Sequence, residues 1–298
     1  MNPVTALMGL MTETSLHAGA GSSAGVLDLP IQREGHNGWP CVFGSAVKGS
    51  LRDLGETQLG RESADLFSLF GPAPTSIEVS DHAGALSVGD ARLLLLAIRS
   101  LTGSFRWVTC PEALRRFKRD AHRMGLKSRF DFEVPDVNGT DAAVVAGEGG
   151  LFLEEYRFET KPDARVKTLP ALLCQLIHRE DSEAELIRRL VVISDDMFSL
   201  LTQNATPVNA HIALDSDTKT VREGALWYEE TLPPETLLYV PLMANQSRRQ
   251  DQRLQANEVM ARFKSLFEER PWLQLGGNET VGMGWCAVKL LEAIDEEE

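Results

Sequence analysis

The sequence predicts an α+β fold built on a ferredoxin-like core, and three observations favour it. Predicted strands and helices are mixed along the chain without a regular strand–helix–strand rhythm, which argues against a parallel α/β fold. No low-complexity linker or internal repeat divides the 298 residues. A chain of this length with 43% hydrophobic side chains can bury a full core without a disulfide or a metal ion. We therefore expect residues 1–298 to form one continuous domain.

The N-terminal region is predicted to contain a strand, a long loop and a helix. The segment Val4 to Leu16 alternates well enough for a first strand. From His17 to Pro40 the chain is rich in Gly, Ser and Pro, and a loop of this length in a compact domain is usually functional or disordered. Ser45 is predicted to cap an amphipathic helix that continues past Leu51.

The remaining elements follow from hydrophobic periodicity and from helix start and stop signals. The predicted helices are Glu62 to Phe70, one opened by Pro111, Leu169 to Ile177, Ala184 to Leu190 and Asp251 to Phe267. The predicted strands are Leu86 to Ile98, Gly150 to Phe158, Val191 to Ile193, Leu237 to Leu242 and Trp285 to Leu291. Two extended runs between Val208 and Tyr228 flank the turn Asp215-Ser216-Asp217 and predict a β-hairpin.

The charge balance is acidic, with 43 Asp and Glu against 30 Lys and Arg and a formal net charge of −13. Such a balance argues against a free-standing nucleic-acid binder, because phosphate contacts supply most non-specific affinity. No apolar run reaches the roughly 20 residues that cross a bilayer, and the cysteines show no CxxC or zinc spacing. We expect a soluble cytoplasmic protein with no membrane partner and with buried, reduced thiols at Cys41, Cys110, Cys174 and Cys286.

A glycine-rich stretch in the N-terminal loop leads into the helix that carries Lys48 and Arg52. Backbone N–H groups in such a loop can approach phosphates, and a helix N-terminus favours anions. Lys48 and Arg52 stand at i and i+4 on one helical face, so they are candidate phosphate ligands. The nucleotide-binding pattern GxxxxGK[ST] is absent, because Lys48 precedes the second glycine of Gly44 to Gly49. The alternative is a solvated helix face.

A second glycine-rich stretch runs from Leu275 to Trp285. Its glycines are Gly276, Gly277, Gly282 and Gly284. Because glycine has no Cβ, this loop could lie close to another backbone or to an RNA phosphate. A tight turn before the final strand is the alternative.

Basic residues are concentrated in the predicted helix opened by Pro111 and in the segment after it. They are Arg115, Arg116, Lys118 and Arg119, followed by Arg123, Lys127 and Arg129. Such a density is typical of a surface that binds a phosphate backbone, with a solvated charged helix as the alternative. We expect one basic groove on an otherwise acidic surface. The acidic end, Asp295 to Glu298, is predicted to be a solubilising tail.

Several sequence blocks, in a fixed order, cover almost the whole chain. They are Leu16 to Gly21, Gly25 to Glu34, Trp39 to Arg52, Ser87 to Ala91, Arg116 to Asp120, Leu226 to Glu230 and Leu273 to Trp285. Together they resemble the RAMP superfamily of CRISPR-associated RNA-binding proteins, and within it the repeated backbone subunit of the type III-B (Cmr) effector complex. The resemblance implies a modified RRM-like fold and a helical filament of several copies along a guide RNA, beside other Cmr subunits. It also implies metal-dependent cleavage of complementary target RNA at regular intervals.

The resemblance also implies a catalytic residue, because the family's nuclease aspartate lies in the loop after the first strand, where this chain has Asp28. RNA can be cut by its own 2′-OH attacking the adjacent phosphate, so the protein mainly positions the backbone, assists proton removal and stabilises charge. A loop carboxylate could accept the proton or hold Mg²⁺ or another divalent ion through water, weakly and shared with RNA phosphates. A helix or turn cap is the alternative role for Asp28.

Three further residues are candidates for the same site. His17 could be a general acid or base, since histidine titrates near neutrality. A structural hydrogen-bonding role is its alternative. Glu229 or Glu230 could complete a metal site, and the alternative for both is an exposed turn carboxylate.

The predicted hairpin, within residues 206–233, corresponds to the family's thumb, which wedges between nucleotides and kinks the guide–target duplex. An apolar side chain inserted into a base step offsets partial unstacking with protein contacts. Ile212 and Leu214 are the candidate wedge residues, with packing inside the hairpin as the alternative.

Three functions remain open. The main hypothesis is a guide-RNA-bound endoribonuclease subunit that cuts target RNA. The second is a scaffold subunit that only coats the guide. The third is a guide-precursor processing enzyme that uses His17 as a general base without metal, which would leave Asp28 and the thumb without a role.

Overall fold

A large mixed β-sheet organises the molecule, as seen in a computed structural model that describes residues 3–23, 27–72, 82–249 and 253–293. Within these residues twelve strands form one sheet, in the order β13-β14-β1-β12-β4-β5-β9-β6-β8-β7, with β2 beside β4 and β3 beside β12. The strands are β1 Val4–Thr12, β2 Cys41–Val42, β3 Leu86–Val88, β4 Ala91–Arg99, β5 Phe105–Thr109, β6 Asp141–Val144, β7 Gly149–Leu153, β8 Tyr156–Pro162, β9 Leu190–Ile193, β12 Leu237–Ala244, β13 Trp272–Gln274 and β14 Trp285–Glu292.

A separate two-stranded hairpin and the helices complete the fold. The hairpin consists of β10 Val208–Leu214 and β11 Val221–Glu230, and we call it the thumb hairpin. The helices are α1 Gly44–Leu59, α2 Ala64–Phe70, α3 Pro111–Arg123, α4 Leu169–Leu173, α5 Ser182–Arg189, α6 Asp195–Asn204 and α7 Ala256–Ser265. The mixture of helices with a largely antiparallel sheet confirms the predicted α+β class.

The first strand lies inside the sheet, where it pairs antiparallel with β12 and β14. Successive side chains of a strand point to opposite faces. Met8 and Leu10 accordingly join one buried cluster, while Leu7 and Met11 join a second cluster. Because both faces of β1 are covered, this strand is apolar along its length rather than alternating.

The predicted strands differ from the observed ones in length and division. The first strand ends at Thr12 rather than at Leu16. The run Leu86 to Ile98 forms two strands, β3 and β4, which are interrupted at Gly89. The Gly89 N–H donates to the Pro241 carbonyl. The segment Gly150 to Phe158 is not one strand but part of the β7–β8 hairpin. Strands β2, β5, β6 and β13 were missed, since strands of two to five residues carry little periodicity.

The helix boundaries also differ from prediction. Ser45 is not the cap of α1, because the N-cap is Phe43 and the Gly44 N–H donates to Asp90 Oδ1 at 2.7 Å. The helix expected over Asp251 to Phe267 is shorter and begins after a capping box between Gln255 and Glu258. Residues 251 and 252, like the predicted acidic tail, lie outside the described part of the chain.

The thiols and the membrane prediction can be compared directly with the structure. All four cysteines are free, with three of them buried and Cys174 half-buried. Burial is the main cause that raises the pKa of the Cys41 and Cys286 thiols to about 12. Among the described residues no helix is both long and apolar enough to span a membrane.

Candidate functional site

Three segments that are distant in sequence meet at the base of the thumb hairpin. The N-terminal loop runs beside the end of β11, where the Leu29 N–H donates to the Tyr228 carbonyl at 3.1 Å and the Glu230 N–H donates to the Leu29 carbonyl at 3.0 Å. The C-terminal glycine-rich loop joins them, because the Gly277 N–H donates to the His17 carbonyl at 2.9 Å. The structure therefore brings Asp28, His17, Glu229 and Glu230 to one place.

Asp28 is tied directly to the thumb hairpin. Its Oδ2 accepts a hydrogen bond from the Tyr228 N–H at 2.8 Å. The side chain is half-buried, so the carboxylate keeps access to solvent while its position is fixed relative to β11. Residues 24–26 of the same loop lie outside the described residues. This arrangement leaves Asp28 available to a ligand that contacts the hairpin.

Glu230 is the anchor of the site rather than an exposed carboxylate. It is 3% exposed. Its Oε1 accepts hydrogen bonds from Arg33 Nη2 at 2.5 Å and from Thr206 Oγ1 at 2.6 Å, and its Oε2 accepts one from the Ile31 N–H at 3.1 Å. Arg33 also donates to the Gly38 and Thr202 carbonyls. The expectation that Glu230 helps to complete a metal site is therefore corrected, because both carboxylate oxygens bind protein groups.

His17 and Glu229 form a second buried contact beside this anchor. His17 Nδ1 lies 2.7 Å from the Glu230 carbonyl oxygen and 3.6 Å from Glu229 Oε1. Since a carbonyl can only accept, Nδ1 carries the proton, and in the neutral ring Nε2 is the nitrogen with the lone pair. Glu229 is 4% exposed and also accepts a hydrogen bond from Asn278 Nδ2. Both side chains are therefore buried and hydrogen-bonded, so Glu229 is not the exposed turn carboxylate that was its alternative.

Asn278 is a site residue that the sequence analysis missed. It adopts the left-handed conformation with φ of 62° in the glycine-rich loop. Asparagine tolerates that region better than most residues, and its position among glycines was the available signal.

Two glycines of this loop, Gly276 and Gly284, are needed for close packing inside the protein. A Cβ on Gly276 would lie 2.2 Å from the His17 carbonyl oxygen, and one on Gly284 would lie 1.9 Å from the Leu275 carbonyl oxygen. Both residues also have positive φ. The close approach predicted for these glycines is therefore made to neighbouring backbone. Gly282, in contrast, has positive φ but open space around it.

Lys48 and Arg52 share a face of α1 but differ in their surroundings. Burial, and then the charge of Arg52, lower the pKa of Lys48. Its Nζ lies 3.4 Å from the Leu86 carbonyl oxygen. Arg52 instead pairs with Glu56 at 2.9 Å and donates to the Gly71 carbonyl at 2.6 Å. Lys48, unlike Arg52, therefore pairs with no carboxylate among the described residues.

The basic cluster on α3 is divided between the interior and the surface. Arg116 is 9% exposed, pairs with Glu34 at 2.6 Å and lies over the Trp39 ring. Its expected role in RNA binding is corrected, because a guanidinium held in this way stabilises the N-terminal loop. Lys118 donates to the Phe132 carbonyl at 2.7 Å.

Arg115 and Arg119 remain on the surface of α3. Both side chains are exposed, and both pair with Glu112. These ion pairs neutralise part of the predicted basic surface. Because ion pairs between exposed groups are weak, they can exchange for phosphate contacts. The basic groove itself stays a prediction.

The thumb hairpin presents an exposed apolar face. The register pairs Ile212 with Leu226 and Ala210 with Tyr228, so these side chains lie on the same face of the hairpin. Ile212, Leu214 and Leu226 are each about half exposed, at 51%, 50% and 53%. Packing inside the hairpin, the alternative for the two predicted wedge residues, accounts for only part of their surface. Leu226 is a further member that the sequence analysis missed.

The chain resembles known proteins along its full length. The model of the RAMP superfamily matches residues 10–287. The CRISPR system Cmr endoribonuclease Cmr4 of Pyrococcus furiosus is 35% identical over 295 residues, with 97% of this chain and 96% of that protein covered. The CRISPR system CMR subunit Cmr4 of Saccharolobus solfataricus is 24% identical over 302 residues, with 93% and 94% covered.

Solved structures give the same picture at the level of the fold. The crystal structure of oligomeric Cmr4 from Pyrococcus furiosus superposes with a TM-score of 0.74 at 29% identity, over 99% of this chain and 100% of that one. A chain of the type III-B Cmr-beta complex bound to cognate target RNA shares the fold, with a TM-score of 0.76 at 20% identity over 96% of each chain.

Proposed function

Because the chain belongs to the RAMP superfamily, we propose that it is the guide-RNA-binding backbone subunit of a type III-B (Cmr) CRISPR effector and cleaves complementary target RNA at regular intervals. In this proposal copies of the chain stack in a filament along the guide, beside other Cmr subunits. The similarity to Cmr4 proteins over nearly the whole chain supports the assignment. The main observation behind the proposed site is that the half-buried Asp28 carboxylate accepts a hydrogen bond from the Tyr228 N–H, at the base of a hairpin with an exposed apolar face.

Asp28 performs or assists proton removal in the proposed reaction. Attack of a 2′-OH on the adjacent phosphate requires an in-line geometry and an acceptor for the proton. The bond from the Tyr228 N–H holds Asp28 Oδ2, so that the carboxylate keeps a fixed position relative to the hairpin that bends the RNA. His17 is a positioning residue, because its ring joins the loop to Glu229 and Glu230.

A divalent cation fits this site only as an ion shared with the RNA. Among the described residues no three or more His, Cys, Asp or Glu side chains gather to hold a metal by themselves. Asp28 therefore offers one carboxylate, and phosphate oxygens of the RNA would supply further ligands. When bound, Mg²⁺ or another divalent ion would neutralise the charge that develops on the phosphate.

The thumb hairpin and the basic residues position the RNA. Ile212 and Leu214, with Leu226 beside them, offer apolar surface for a base step that is partly unstacked. A kink at that step lines up the 2′-OH, the phosphorus and the leaving oxygen more easily than a regular A-form helix does. One hairpin in each copy would then place one cut per filament repeat. Lys48 and the exposed Arg115 bind the guide backbone.

The test of the catalytic assignment is Asp28→Asn in the reconstituted complex with guide and target RNA. Asparagine keeps an oxygen that can accept the Tyr228 N–H bond but removes the charge, so the loop stays in place. We expect target cleavage to slow by at least about 100-fold at every site, because the general base or its cation is lost. Asp136→Asn, a change of the same chemistry at an exposed position, is the matched control.

The outcomes separate the parts of the proposal. Cleavage by Asp28→Asn at the wild-type rate would show that another group acts on the proton. A wild-type complex that leaves target RNA intact in Mg²⁺ would make the chain a scaffold that only coats the guide. Cleavage that persists in EDTA would show that the reaction does not need a divalent ion.

A further inference from the structure

A groove beside α1 has no role in the proposed reaction. It has a volume of about 1100 Å³ and lies between α1, the end of α7 and the β13–β14 strands. Its lining contains none of Asp28, His17, Arg33 or Glu230. The groove shares Glu279 and Trp285 with the glycine-rich loop, and the rest of its lining comes from other parts of the fold.

Two tryptophans form the aromatic part of this groove. Trp285 lies opposite Gln274 in the β13–β14 register, and Trp272 stands two residues before Gln274 on the same face. Diagonal neighbours of this kind are close enough for aromatic side chains to share one surface. Trp272 is 40% exposed and Trp285 is 41% exposed, so both leave a large part of their aromatic surface in solvent.

The rim of the groove is acidic. Four exposed carboxylates line it against one guanidinium, that of Arg270. The carboxylates belong to Asp53, Glu268, Glu269 and Glu279. None of the four forms an ion pair with any residue in the described ranges, which is unlike Glu112 and Glu185 elsewhere on the surface. Their charge is therefore available to a partner.

The side chains of the groove indicate which chemical groups it can bind. Carboxylates around exposed tryptophan faces attract a guanidinium or ammonium group, which gains both an ion pair and a cation–π contact. The same carboxylates repel RNA phosphates. Tryptophan and arginine are also the side chains that most often dominate protein–protein interfaces.

We propose that this groove is the docking site for a basic, arginine- or lysine-bearing segment of a partner protein. The segment places its cations over Trp272 and Trp285 and pairs with the carboxylates of Asp53, Glu268 and Glu269. This interaction does not depend on the nuclease assignment, because the groove is lined by neither Asp28 nor His17.

The experiment measures binding of a fluorescein-labelled peptide of alternating arginine and leucine to the full-length chain by anisotropy. Glu268→Lys together with Glu269→Lys should weaken binding at least about 10-fold, because two attractive charges become repulsive. Trp272→Ala should weaken it by a similar factor through loss of the cation–π surface. Glu148→Lys together with Glu180→Lys, two exposed positions away from the groove, reverses the same number of charges; this matched control should bind like the wild type.

Four results would overturn the proposal. The peptide could bind all variants equally, or an alternating glutamate–leucine peptide could bind as well as the basic one. A single-stranded RNA of the same length could displace the peptide from the wild-type chain, and this displacement could be lost in Trp272→Ala. Sedimentation could show that the variants abolish self-association of the chain, which would make a second copy the occupant. Circular dichroism of each variant checks folding, and the charge reversals keep the test valid if Trp272→Ala fails to fold.

Discussion

The two ends of the thumb hairpin are built in opposite ways. At the base, Glu229 and Glu230 are almost fully buried and hydrogen-bonded to the N-terminal and glycine-rich loops. Towards the tip, Ile212, Leu214 and Leu226 leave about half of their surface in solvent. The base fixes where the hairpin stands relative to Asp28, while the tip is left open for something outside the chain. The difference predicts that stability depends on the base and function depends on both ends.

The largest effect is expected from Glu230→Ala at the base. The change leaves Arg33 and Thr206 without their carboxylate partner, and a charge that has lost its buried partner is strongly destabilising. We expect the free energy of unfolding, measured with guanidinium chloride, to fall by about 3 kcal/mol. Target cleavage should fall as well, because Asp28 loses its fixed position.

Asp217→Ala is the control at the other end of the hairpin. Asp217 is exposed in the turn between β10 and β11, so its removal should change the free energy of unfolding by no more than about 0.5 kcal/mol. Equal destabilisation by Glu230→Ala and Asp217→Ala would break the comparison between base and tip.

The next effect concerns the loop that supports the base. Gly276→Ala introduces a Cβ at positive φ and 2.2 Å from the His17 carbonyl oxygen, so the segment that carries His17 must move. Gly282→Ala introduces the same conformational strain, with φ of +83°, into open space. Alanine at positive φ costs about 1 kcal/mol or more in either case.

The difference between the two variants isolates the contact. Gly276→Ala should destabilise the chain more than Gly282→Ala in the same denaturation experiment, and target cleavage should fall only in Gly276→Ala. Identical results for the two variants would mean that the glycine-rich loop does not position His17.

Local sequence signals predicted many of the elements but missed the helix α6 and several short strands, and the contacts that build the site were beyond them. Pro111 correctly marked the start of α3, and the turn around Asp215 correctly marked the thumb hairpin. Arg116 was expected on the surface, but it is buried and pairs with Glu34, which lies 82 residues earlier in the chain. No spacing rule connects two side chains across that distance, so the burial of Arg116 depends on the tertiary fold.

The same limit applies to the site at the base of the hairpin. Asp28 was proposed through the resemblance to a family, and His17 because histidine titrates near neutrality. Neither signal shows whether two residues of one loop meet. Glu230 was named as a candidate for a metal site, yet the structure engages both of its oxygens with Arg33, Thr206 and Ile31. A sequence shows which residues can do chemistry, and the network of partners decides which of them remain available.

The smallest change in stability is expected at the tip, and it is the most informative about function. Ile212→Ser removes apolar surface that is already 51% exposed, so the free energy of unfolding should change by less than about 0.5 kcal/mol. If Ile212 contacts an unstacked base step, losing about 1 to 2 kcal/mol of apolar contact should slow target cleavage by about 10-fold. Leu101→Ser, at an apolar position that is 80% exposed outside the thumb hairpin, should leave both quantities unchanged. A stable Ile212→Ser variant with normal cleavage would leave the exposed face without a function in RNA cleavage, whereas a destabilised variant would mean that the tip is packed against its own chain.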